Sequence, residues 1–129
     1  MKGLGGVLII ALAACMIAAD KKPRQPDLEI LEASAHRGEV RISVEGRIRN
    51  SSDRPLKKVT LLFHFMAPGK QVVTTQKGAI EEELLDPGQE ASFQMELNSP
   101  PRSVEFAISA VEGSGRDLRI GKPGPFPIE

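Results

Sequence analysis

Few side chains in this sequence can do more than pack. There is one cysteine, Cys15, two histidines, His36 and His64, and one dense carboxylate run, Glu81-Glu82-Glu83. A thiol can be acylated or oxidised, and an imidazole can move a proton or bind a metal. Hydrolysis of the Ser-His-Asp type needs a serine and an imidazole within hydrogen-bond reach, beside an oxyanion hole. No Gly-x-Ser-x-Gly elbow is present to offer such a serine. His36 falls in a loop-like stretch, Ala35-His36-Arg37-Gly38, and both histidines read as solvent-exposed. No catalytic residue, and so no enzyme, is expected.

His64-Phe65-Met66 carries some metal chemistry on paper. Positions i and i+2 of a strand face the same way, so an imidazole and a thioether would share one surface. Soft sulfur suits Cu(I), which makes an exported copper-binding sandwich using His64 and Met66 the alternative to a simple binding module. Only two ligands are in register, however, and the expectation is no metal and no cofactor. The competing use of Leu62, His64 and Met66 is a contact surface for a protein, with Arg41, Arg47 and Arg49 as its polar rim. Glu81-Glu82-Glu83 could contribute to calcium binding, but such sites need about six to eight converging oxygens. A solvated charge run is the expectation. Asn50-Ser51-Ser52 matches a glycosylation sequon, and before Pro55 it reads instead as turn chemistry.

These residues must be positioned by strands, because from Leu28 onward the periodicity is two. Val40, Ile42, Val44, Gly46 and Ile48 alternate with charged or polar residues, and Gly46 among them signals a bulge or the close approach of another backbone. Val59, Leu61, Phe63 and Phe65 face inward, leaving Thr60, Leu62, His64 and Met66 outward. Pro68-Gly69 and Pro87-Gly88 form turns in which proline sets its own φ and glycine accepts a positive one. Val72 to Thr75 is a short strand. Ile80 to Leu85 is read as a strand with Ile80, Glu82 and Leu84 on one face. Ala91, Phe93, Met95 and Leu97, then Val104, Phe106, Ile108 and Ala110, supply two more, and Leu118 with Ile120 a last short one. Turn signals about every 8–12 residues define an all-β, antiparallel, immunoglobulin-like sandwich of about seven strands. The proline-rich tail, residues 122–129, is expected to trail extended.

The chain has 129 residues, with 17 Lys+Arg against 17 Asp+Glu, so no global field draws it to nucleic acid or an anionic membrane. With a single cysteine no internal disulfide can form, and the fold must rest on a Val, Ile, Leu and Phe core that contains no Trp or Tyr.

Two resemblances follow. Lys2, an apolar run from Leu4, and Leu12-Ala13-Ala14-Cys15 resemble a bacterial lipoprotein signal with its lipobox. The resemblance implies cleavage between Ala14 and Cys15 and acylation of the Cys15 thiol. Competing readings are a secretory signal cut after Ala19 and an uncleaved anchor. The run to Ala19 is short of the roughly 20 residues a spanning helix needs. Met16, next to the cysteine, lacks the aspartate associated with inner-membrane retention and leans toward the outer membrane. The expected organisation is a signal peptide over 1–14, a lipidated tether over 15–27, a sandwich over 28–121 and the tail.

Val44 to Ser52, the Pro-Gly hairpin between Val59 and Val73, and Leu85-Asp86-Pro87-Gly88 with Phe93 are similar to FxLYD-type domains. These are small immunoglobulin-like sandwiches of exported and lipid-anchored bacterial proteins. The chain departs from that pattern in having no tyrosine. The expectation is an exported, lipid-anchored accessory or binding module of the cell envelope. It would meet the membrane through acylated Cys15 and a protein partner through the sandwich.

Overall fold

The computed structural model describes residues 25–98, 100 and 102–129; the expected leader and lipobox, with Ala14 and Cys15, and Met16 lie outside them. Among the described residues there is no helix, and so none long and apolar enough to cross a membrane.

Six long strands and five two-residue strands build the domain. They are β1 (Leu28–Arg37), β2 (Arg41–Asn50), β3 (Leu56–Lys57), β4 (Thr60–Ala67), β5 (Gln71–Ala79), β6 (Leu84–Leu85), β7 (Glu90–Asn98), β8 (Glu105–Val111), β9 (Asp117–Leu118), β10 (Ile120–Gly121) and β11 (Phe126–Pro127). Sheet one runs β10-β1-β2-β7; sheet two runs β11-β8-β4-β5, with β9 also on β8. The result is an immunoglobulin-like β-sandwich.

The alternation seen in the sequence sets what lies between the sheets. Sheet one contributes Ile42, Val44, Ile48 and Phe93, and sheet two contributes Leu61, Phe63, Phe65, Phe106 and Ile108, all buried. Phe63 lies 5.6 Å from Phe93 across the sandwich and 6.4 Å from Phe106 beside it, centroid to centroid. Gly46 is where two elements come too close for any side chain. A Cβ there would sit 2.2 Å from the Glu32 carbonyl oxygen and 2.4 Å from the Phe93 ring. The crowding comes from β1, whose pairing with β2 slips by one residue between Ile30 and Glu32.

Both Pro-Gly turns form as expected. Gly69 and Gly88 have φ of 86° and 80°, and the turns close through Lys70 N–H to Ala67 O (3.1 Å) and Gln89 N–H to Asp86 O (2.9 Å).

Four expectations need correcting. Val40 is 73 % exposed and precedes β2, because the β1–β2 turn closes through Gly38 N–H to Arg41 O and leaves Val40 on the turn. Val104 likewise stands exposed ahead of β8. Ile80 to Leu85 is not one strand: only Leu84–Leu85 pairs, with Leu56–Lys57. Ile80 and Leu85 are both buried although an odd number of residues apart, which strict alternation forbids, so the chain bends through Glu81–Glu83 and leaves Leu84 exposed. The tail does not trail. Phe126–Pro127 pairs with Glu105–Phe106 of β8, and Ile128 bridges to Ala35 of β1. Phe126 packs 5.3 Å from Phe106. Proline is tolerated there because the strand is an edge.

Candidate functional site

The outward row of β4 is the first place to look. His64 is held between two hydroxyls of neighbouring strands: its Nδ1 lies 3.1 Å from Thr75 Oγ1 on β5, and its Nε2 lies 2.8 Å from Ser109 Oγ on β8. Both ring nitrogens are therefore engaged within the sheet. Met66 is only 7 % exposed. The β4–β5 register slips between Phe65 and Met66, which breaks the alternation that would place the thioether beside the imidazole on an open surface. Leu62 and His64 are half-buried, so the row offers solvent no exposed Leu-His-Met patch.

Nor does it have an arginine rim. Arg41, Arg47 and Arg49 lie on β2, in the other sheet, facing out from the opposite side of the sandwich. There they engage the glutamates of their own sheet: Arg41 with Glu96 (3.2 Å), Arg47 with Glu32 (3.1 Å) and Glu90 (3.0 Å), and Arg49 with Glu29 (2.6 Å). These pairs are largely solvated and each adds little stability. The predicted contact surface is thus two separate faces, and its members do not meet. His36 sits exposed near the end of β1. Among the described residues no group of three or more His, Cys, Asp or Glu could hold a metal.

The sequon is a structural hub. Asn50 is fully buried, and its Nδ2 donates to Arg54 O (2.9 Å) and Leu85 O (2.8 Å), while its Oδ1 accepts from Ser52 N–H (2.9 Å) and Ser52 Oγ (2.6 Å). Its backbone accepts from Gly88 N–H and donates to Gln89 O. It thereby fastens the loop after β2 to the Pro87-Gly88 turn, with its side-chain amide engaged on both atoms.

A second polar hub escaped the sequence reading. Glu112, buried at the end of β8, accepts from Arg54 Nη2 (3.2 Å), Arg116 Nε (3.2 Å) and the Lys57 backbone N–H (3.0 Å). Hydrogen bonds from the Arg54 guanidinium hold its carboxyl below the usual carboxylate range, with the Lys57 N–H adding to them and burial opposing.

What remains is the side of the sandwich where β5 and β7 are the terminal strands of their sheets. Two grooves lie between them. One, of about 820 Å³, runs along β7 from Glu90 to Glu96 and is walled by Ala79, Glu81 and Glu82; the other, of about 800 Å³, is lined by Val73, Thr74 and Gln76 of β5 with Glu96, Leu97 and Asn98 of β7. Val72 and Val73 are 53 % and 38 % exposed at this edge. Free strand edges beside concave space can take up another polypeptide. No signal in a single sequence could have found this site, because an edge is a property of strand order.

No family model and no curated protein matches the chain. Among solved structures, IrmA from Escherichia coli matches with a TM-score of 0.50 and 14 % identity, over 75 % of this chain and 85 % of that one. The C-terminal domain of Wzt matches at 12 % identity and a TM-score of 0.49, over 79 % of this chain and 78 % of that one. β-Glucosidase 3B from Thermotoga neapolitana, in complex with glucose, gives 18 % identity and a TM-score of 0.44, over 79 % of this chain and 16 % of the enzyme. The likeness to IrmA is one of fold alone.

Proposed function

We propose that this chain is a non-enzymatic, lipid-anchored binding or accessory module of the bacterial cell envelope. The observation that carries the reading is the open side, where two long strand edges flank grooves that the described chain leaves unfilled. Anchoring rests on the sequence Leu12-Ala13-Ala14-Cys15, and the segment that follows it joins the fold where Pro26 O accepts from Ser51 Oγ and Asp27 N–H donates to Arg119 O. Acylation of Cys15 with two or more chains gives stable attachment, whereas a single chain is marginal. The bond from Asn50 to Leu85 O joins two of the segments on which the FxLYD-type resemblance was drawn.

Two measurements test this. Cys15→Ser should abolish labelling by a palmitate analogue and release the protein from the membrane fraction. Membrane retention unchanged by that substitution, with no label on the wild type, would overturn the anchor. A photo-crosslinker at Ser92, on the open side, should trap a partner in intact envelopes, and one at Lys122, on the sealed side, should not. Equal trapping at both positions would remove the case for the open side.

A further inference from the structure

We infer that the groove along β7 binds an extended segment of another polypeptide, alternating apolar and basic residues, as a fifth strand of sheet one. The inference rests on the binding-module reading and names its site and ligand class. β7 ends its sheet, so among the described residues the outer main-chain groups of this nine-residue strand have no strand partner. Strand addition satisfies those groups over about 30 Å, at roughly 3.3 Å per residue.

Charge decides what kind of strand fits. Glu81, Glu82, Glu90 and Glu96 line this groove; Glu90 pairs with Arg47 and Glu96 with Arg41, which leaves Glu81 and Glu82 without an ion pair among the described residues. Glu82 Oε2 is shielded from solvent and has no hydrogen-bond partner, the costly state of a carboxylate oxygen that a lysine or arginine donor would relieve. Periodicity sets the ligand's pattern. On β7 the half-buried Met95 faces the core while Ser92, Gln94 and Glu96 face out. An added strand therefore lays one row of side chains on an apolar floor and the other beside carboxylates. A second copy of the chain suits the groove less well, because a second β7 would bring its own Glu90 and Glu96 to a groove that already holds four carboxylates.

The test uses the full chain in non-ionic detergent and a fluorescein-labelled nine-residue peptide alternating lysine and valine, read by anisotropy. Binding should weaken with salt and fall about tenfold in the double variant Glu81→Gln/Glu82→Gln, as expected for lost charge-assisted hydrogen bonds. The same peptide N-methylated at every residue keeps its charge and loses all its main-chain donors, and it should bind at least about tenfold more weakly. Equal binding by the N-methylated peptide, or by a glutamate–valine peptide, overturns strand addition. No binding by the lysine–valine peptide overturns the inference too, while Ser92 crosslinks in the envelope would leave the wider reading standing. Peptide binding without such crosslinks supports the inference and overturns the placement of the partner in the envelope.

Discussion

On one side of the sandwich the outer edges of β1 and β8 are taken up by later pieces of chain. Ile120–Gly121 runs along β1, and Asp117–Leu118 and Phe126–Pro127 run along β8. On the other side β5 and β7 end their sheets and face grooves. Both sides confront the same hazard, a row of unpaired main-chain groups. One is blunted with short strands and prolines, and the other carries charge and stays open. The difference teaches that proline-rich sequence at an edge can be a seal, and that an edge left unsealed is the better place to look for a partner.

The variant with the largest expected effect bears on both sides at once. Phe63 touches Phe93 of β7 and Phe106 of β8, so Phe63→Ala should cost about 3–5 kcal/mol by chemical denaturation. A loss of a few tenths would mean that the strand register is one residue out. Phe126→Ala attacks the seal alone. Half-buried against Phe106, it should cost about 2 kcal/mol, and amide exchange should rise along β1 and β8 more than along β5 and β7. Uniform loosening would break the comparison.

A smaller effect should come from acid. Glu112 closes the β8–β9 end of the sealed side, and Arg54 lowers its pKa in the fold. Its contribution is present above the ordinary value near 4.5 and is lost as pH falls through the lower folded value. Glu112→Gln should therefore destabilise at neutral pH, and its gap from wild type should narrow as pH falls below the ordinary value near 4.5. The smallest effect belongs to the open edge. Val73→Ser should stay within about 0.5 kcal/mol, and a larger loss would show that this edge is structural after all.

Much of the fold could be read in the residues. Ile42, Val44 and Ile48, or Leu61, Phe63 and Phe65, keep period two because one face of each strand is buried and the other wet. Gly46 and the two Pro-Gly turns carry their own steric logic. What escaped depends on relations between distant segments. Nothing local to Met66 announces the slip that buries it, since a bulge depends on the partner strand. Nothing local to Arg47 says that β2 and β4 lie in different sheets, and alternation alone let the arginines seem neighbours of His64. Phe126 and Ile128 stood among prolines, and composition outweighed two apolar residues that had a place to go. Cys15 and its lipobox lie outside the described residues, so that reading stands on sequence.

The tail's route has a further consequence, for the order of events when the domain forms. Arg37 N–H donates to Glu129 O and Glu129 N–H to Ala35 O, so β1 is bonded to residues more than 90 positions later. Such distant pairings close slowly, because loop entropy must be met before the contacts can reward it. A chain emerging N-terminus first can assemble the β1–β2 hairpin early, yet the Ala35–Arg37 end of β1 keeps an unguarded edge until Ile128 and Glu129 arrive. The interval in which this protein is most prone to wrong pairings ends with its C-terminal segment.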